Sequence, residues 1–195
     1  MRTISKVIIK GHQRSGNNYL INLVGVNFFN KEYNGASFSD GHDHCLLNKL
    51  QKDTRYLYIH RNKTDTLKSV FTERLLYGID VSDYNYFYDT HYMKMYEPTL
   101  KTNLVFSTIF EDKKYNAIQN HFFCCIEKSP SQFHDFHVNH YVELAKNNPS
   151  LLIVSYDALK NNFKSEMDKI SIHLTGVTKQ SYENIDKKVG WYHKT

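Results

Sequence analysis

The chain has 195 residues, a formal net charge of +5 and three cysteines, and these figures exclude several classes of protein. A chain of this length can bury about 70% of its unfolded surface in one domain, which we expect to span residues 1–195. It has neither a long apolar segment nor a secretory signal, and its odd cysteine count is typical of a reduced compartment. We therefore expect a soluble, cytoplasmic domain without membrane attachment. The lysines are scattered and form no basic stripe, which argues against nucleic acid as a partner.

The first predicted element is a short strand near Val7–Lys10 that leads into a glycine-containing loop. Its β-branched residues are too few for a helix and are typical of a buried strand. Apolar residues at positions 20, 23 and 24 then recur at helical spacing, which predicts a helix near Asn17–Phe28. A strand, a glycine turn and a helix N-terminus bring unpaired N–H groups and the positive end of the helix dipole together. The loop of residues 11–16 therefore predicts a site for a phosphate-like anion.

The spacing of Gly11 and Gly16 matches a Walker A loop, but the groups that such a loop uses next are missing. Asn17 and Asn18 stand where G-x-x-x-x-G-K-[ST] has the lysine for the γ-phosphate and the hydroxyl for Mg²⁺. The cation of this loop is instead Arg14, whose planar guanidinium suits bidentate contact with phosphate or sulfate oxygens. The replacement counts against a kinase or other P-loop phosphotransferase, which stays open as an alternative.

A second strand is predicted near Tyr56–His60, followed by Arg61 and a helix near Thr64–Leu76. Ligands of open α/β sheets bind at the carboxyl edge of the strands, which is where Arg61 falls. Only five arginines occur in the chain, and two of them follow successive strands. The alternation of elements predicts an α/β domain with a central, mainly parallel sheet flanked by helices. The remaining predicted elements are a strand near Leu151–Ser155 and helices near Tyr115–Glu127 and Ala158–Leu174.

Both arginine-bearing segments resemble motifs of the sulfotransferases that use 3′-phosphoadenosine 5′-phosphosulfate (PAPS). The first loop is similar to their 5′-phosphosulfate element, P-[KR]-S-G-T-T-[WL], with Gln13 in place of the proline. The residues that this resemblance assigns to cofactor binding are Arg14, Ser15, Gly16, Asn17, Asn18 and Tyr19. The segment from Arg61 is similar to the 3′-phosphate element, R-[DN]-P-x-D-x-x-x-S, and Ser69 lies eight residues later (69 − 61). Lys63 takes the place of the proline in that element.

Two further segments extend the resemblance, in the order of the family, over most of the chain. Tyr156 follows the third strand and matches the tyrosine that lies near the adenine in the Y-E-D-[LM]-x-x-[ND]-P region. Lys187, Lys188 and Gly190 are a weaker match to the R-K-G segment that closes over the 3′-phosphate, and the arginine is absent there. The resemblance implies a P-loop-like fold with PAPS as co-substrate and no metal requirement. It implies a hydroxyl or amine acceptor on a carbohydrate, phenol or alcohol, and a catalytically silent nucleotide- or glycan-binding module is a further alternative.

Sulfuryl transfer to a hydroxyl needs a base for the acceptor proton, and a neutral imidazole suits that task near pH 7. In the family, the catalytic histidine lies between the two phosphate elements. His42 and His44 occupy that interval here, so both are candidates, and we favour His42 slightly.

The region of about residues 76–149 looks like an aromatic-rich insertion. Its tyrosines and phenylalanines either pack on the core or form a wall for the acceptor, because tyrosine offers a flat apolar face and a hydroxyl. His134, His137 and His140 recur every three residues in this region. Their spacing matches no compact zinc pattern, so we expect polar positions that face solvent or substrate.

Overall fold

A computed structural model describes residues 6–29, 46–77, 79–95 and 127–185 of the chain. Within these ranges the protein is a mixed α/β structure with a three-stranded parallel sheet in the order β1-β2-β3. The strands are β1 (Lys6–Gly11), β2 (Thr54–His60) and β3 (Leu151–Ser155). All three predicted strands are confirmed, and the central one, β2, pairs with both neighbours.

The sheet is buried on both faces, and alternate residues of each strand face different helices. Val7 and Ile9 of β1, with Leu57 and Ile59 of β2, belong to a core shared with α1 (Asn17–Phe28) and the C-terminal helices. The intervening residues of these strands, such as Tyr58, form a second core on the opposite face. Successive side chains of a strand point to opposite faces of the sheet. Because both faces here are apolar, each needs a covering helix to exclude water.

The opposite face is covered by a helix that the sequence pattern did not predict, α4 (Pro130–Lys146). Tyr58 stacks on Tyr141 of this helix with a centroid distance of 4.2 Å. A capping box begins α4, because the Ser129 side chain accepts from the N–H of Gln132 and the Gln132 side chain accepts from the N–H of Ser129. The C-terminal part of the expected insertion is therefore an integral layer of the fold.

The helix after β2 is shorter than predicted. It runs as α2 (Lys63–Thr72) and gives way to a 3₁₀ turn over Arg74–Tyr77. Arg74 stabilises this early end, because its guanidinium donates to the carbonyl oxygen of Phe71 in the last turn. The same guanidinium donates to the carbonyl of Val81, beyond the helix.

The predicted helix near Ala158–Leu174 is two helices, α5 (Tyr156–Asn161) and α6 (Phe163–Thr175). Asn162 separates them with φ −133° and ψ 50°, outside the helical region. Ser155 begins α5 by accepting from the N–H of Ala158. The predicted helix near Tyr115–Glu127 lies almost wholly outside the described residues.

Part of the aromatic-rich segment packs as core. The short helix α3 (Tyr84–Asp89) buries Phe87, and Tyr92 is buried nearby, in a cluster with Val70 of α2 and Phe133 of α4. Tyr84 packs against the same cluster, so three of the aromatic rings are accounted for, whereas Tyr86 points outward. Tyr96 lies outside the described residues.

Across the four described stretches, none of the helices combines the length and apolar composition needed to cross a bilayer.

Candidate anion site at the carboxyl edge of the sheet

The register of the sheet brings three chain segments to one edge. Gly11 pairs with Ile59 and His60 pairs with Ser155, so all three strands end at nearly the same level. The loop after β1, the start of α2 and the start of α5 therefore meet beyond the carboxyl ends. This edge is where ligands of parallel α/β sheets bind.

The loop after β1 adopts a backbone that suits an anion. Arg14 and Gly16 have positive φ angles of 61° and 98°, and left-handed residues in such loops turn N–H groups into a concavity. The N–H of Ser15 donates to the carbonyl of His12, which closes the turn. The side chain of Asn17 donates to the carbonyl of Gly11 at 3.2 Å, so its amide braces the loop.

Glycine is required at position 16 by both conformation and space. A Cβ atom there would overlap the ring of Tyr156, the first residue of α5. Tyr19, one turn into α1, meets the same ring edge-on at a centroid distance of 5.8 Å. The loop and the tyrosine that were matched to different motifs are thus in direct contact.

Arg14 reaches across to α2. Its Nε donates to Ser69 Oγ at 3.1 Å, and its Nη2 lies 2.7 Å from Glu73 Oε1. Two residues predicted from separate motifs, Arg14 and Ser69, therefore share one hydrogen bond at the sheet edge.

Arg61 directly follows β2 and stacks over the ring of Tyr156. The Cζ atom of Arg61 lies 5.2 Å from the ring centroid. Its Nη2 is 3.7 Å from Asp65 Oδ2. Asn62 begins α2 by accepting from the N–H of Asp65, and its own N–H donates to Asp157 of α5 at 3.0 Å. These contacts hold Arg61 between the starts of two helices.

The Ser15 Oγ and Arg61 Nε atoms at this edge are buried and have no hydrogen-bond partner among the described residues. A buried donor without a partner costs about 1–3 kcal/mol, so native proteins rarely leave one there. A ligand with several acceptor oxygens would satisfy such atoms.

The remaining predicted site residues are placed as follows. Tyr19 is buried, and its hydroxyl donates to Asn184 at 3.0 Å, away from the loop. Asn18 is half-buried in the first turn of α1. The predicted base and 3′-phosphate residues His42, His44, Lys187, Lys188 and Gly190 lie outside the described residues.

The ring of His12 lies in contact with the rings of His134 and His137. The sequence predicted that His134 and His137 face solvent or substrate, whereas both are buried. His134 and His137 of α4 face the sheet, with ring centroids 5.2 Å and 5.6 Å from that of His12. Tyr58 Oη lies 2.8 Å from His137 Nδ1. Within the described stretches, no group of three His, Cys, Asp or Glu side chains is arranged to hold a metal ion.

Burial lowers the pKa of His134 below 6.5. The carboxylate of Asp135 and the backbone of Arg61 oppose this effect, and Lys63 reinforces it. The ring is therefore neutral at pH 7.

One residue of the site was missed from the sequence, Glu73, which contacts Arg14. Glu73 carried a usable signal, because it lies four residues after Ser69 and so shares its helix face.

In comparison with known proteins, no family model matches the chain, and none of the curated proteins matches it.

Replacing Gly16 with alanine tests the contact between the loop and Tyr156. Gly176 is the matched control, because its φ is +84° but a Cβ atom there meets nothing within 4 Å. We expect Gly176→Ala to cost about 1–2 kcal/mol from the backbone alone, and Gly16→Ala to cost about 1–3 kcal/mol more from the overlap. Urea unfolding of both variants measures the difference, and equal losses would contradict the described contact.

Acidification tests the burial of His134. A histidine with a lowered pKa supports the fold fully above its unfolded value near 6.5, and that support is lost as the pH falls through the folded value. We expect the Tm of the wild type to fall more than that of His134→Gln between pH 7.5 and pH 5.5. The exposed His91 offers the control His91→Gln, which should follow the wild type. Parallel curves for all three proteins would show that His134 titrates as in the unfolded chain.

Proposed function

We propose that this protein is a sulfotransferase that moves a sulfuryl group from PAPS to a hydroxyl or amine acceptor. The observation that carries the proposal is the 3.1 Å hydrogen bond between Arg14 and Ser69. These residues were matched to the 5′-phosphosulfate and 3′-phosphate motifs independently, 55 positions apart in the chain. Their contact supports a single site that draws on both motifs.

The chemistry of the edge fits the phosphate groups of such a nucleotide. The buried Ser15 hydroxyl and Arg61 Nε lack hydrogen-bond partners among the described residues, and phosphate oxygens would accept from both. The Tyr156 ring lies between Arg61 and Gly16, beside the loop, and the resemblance assigns this tyrosine to the neighbourhood of the adenine. The helix start after Gly16 adds the positive end of the α1 dipole.

In the proposed reaction, an acceptor oxygen or nitrogen forms a bond to sulfur as the bond from sulfur to the phosphate oxygen breaks. Arg14 and the loop N–H groups would offset the negative charge that grows on the leaving phosphate. Arg61 and Ser69 would hold the 3′-phosphate. His42 or His44 would take the acceptor proton, and both remain predictions.

The proposal extends to the setting of the protein. We infer a cytoplasmic enzyme that acts on a small molecule or a glycan and needs no metal. The outward-facing Tyr86 and Tyr88, whose ring lies 5.6 Å from Lys63 Nζ, are described aromatic side chains that could contact such an acceptor.

The choice of nucleotide tests the proposed function. We expect 3′-phosphoadenosine 5′-phosphate (PAP) to bind at least about tenfold more tightly than AMP, because charge-assisted bonds to the 3′-phosphate are worth about 1.5–3 kcal/mol. Arg61→Gln should remove most of this preference. Arg55→Gln makes the same change in charge near the start of β2, where Arg55 pairs with Val7 of β1, and should retain the preference. Isothermal titration calorimetry measures all six affinities, two nucleotides for each of the three proteins.

Equal affinity of the wild type for PAP and AMP would contradict the proposal. Preference for PAP without transfer to any of a broad acceptor panel would favour the silent binding module. A Mg²⁺-dependent preference for ATP would favour the phosphotransferase.

A further inference from the structure

A carboxylate at the C-cap of α2, that of Glu73, is bound to the arginine of the β1 loop. Arg14 Nη2 lies 2.7 Å from Glu73 Oε1, while Arg14 Nε donates to Ser69 Oγ. Ser69 and Glu73 are four residues apart, so they hold the guanidinium from one helix face. The side chains are 37% exposed at Arg14 and 23% exposed at Glu73, which leaves the pair accessible to a ligand.

This carboxylate makes the contact that a phosphate oxygen would make. Arginine binds carboxylates and phosphates through the same planar set of N–H donors. An anion that approaches Arg14 must therefore displace Glu73 or lie beside its fixed negative charge, and both cost free energy. Because Glu73 belongs to the same chain, its effective concentration at Arg14 exceeds that of a dilute ligand.

We propose that Glu73 is a specificity-determining residue that competes with the ligand for Arg14. A singly charged anion gains no more from Arg14 than Glu73 already does, whereas a doubly charged phosphate or phosphosulfate gains more. Glu73 thus reserves the arginine for highly charged groups. The inference rests on the proposed function for the identity of the nucleotide and for the placement of its 5′-group at Arg14.

Calorimetry with Glu73→Gln tests this role, since glutamine keeps the shape of the side chain and removes its charge. We expect the affinity for PAP to rise about two- to fivefold, the range for loss of a partly exposed ion pair. The affinity for adenosine 3′-phosphate should rise less than that for PAP, because that nucleotide lacks the 5′-group that would bind Arg14 directly. Glu73→Asp keeps the charge and should bind PAP as the wild type does.

Glu143→Gln is the control for net charge, because Glu143 pairs with Lys146 at 2.6 Å on the exposed surface of α4. It should leave both affinities unchanged. An unchanged or weaker affinity of folded Glu73→Gln for PAP would overturn the proposal, and so would equal gains for both nucleotides.

Inorganic pyrophosphate separates this inference from the proposed function. If neither protein binds adenine nucleotides but Glu73→Gln binds pyrophosphate more tightly than the wild type, the role of Glu73 stands and the sulfotransferase proposal fails. If pyrophosphate binds both proteins equally in that case, the role of Glu73 fails too.

Discussion

The site depends on the parallel register that ends β1, β2 and β3 at one level. Because the strands stop together, the segments that follow them must share the space beyond the edge. The loop after β1 can then lie against Tyr156 only because residue 16 has no Cβ atom. The convergence of Arg14, Arg61 and Ser69 is thus a consequence of strand register and one glycine.

Helix α2 both builds the site and balances its charge. It contributes Ser69 to Arg14. Asp65 in its first turn lies near Arg61, and Glu73 at its C-cap lies near Arg14. Two guanidinium groups close to one edge would otherwise repel each other and weaken the fold. The same acids oppose any incoming anion, so the affinity of the site reflects a balance between ligand charge and internal charge.

Local patterns in the sequence were sufficient to predict the three strands and helix α1. β-Branched runs and helical spacing are short-range patterns, and β3 was predicted to the residue. The end of α2 could not be predicted in this way, because it involves the side chain of Arg74, which donates to the Phe71 carbonyl in the last turn. The burial of His134 and His137 likewise depends on the tertiary packing of α4 against the sheet. The resemblance to family motifs predicted Arg14 and Ser69 as site residues, but their hydrogen bond follows only from the tertiary packing of the loop against the helix.

The central claim is that the β1 loop and the start of α2 form one nucleotide site. A crystal structure of the protein with PAP tests it most directly. The account predicts the 5′-phosphate against Ser15, Gly16 and Arg14, with the adenine near Tyr156 and the 3′-phosphate within hydrogen-bond distance of Arg61. A nucleotide bound away from the carboxyl edge, or one whose two phosphates both miss these arginines, would contradict it.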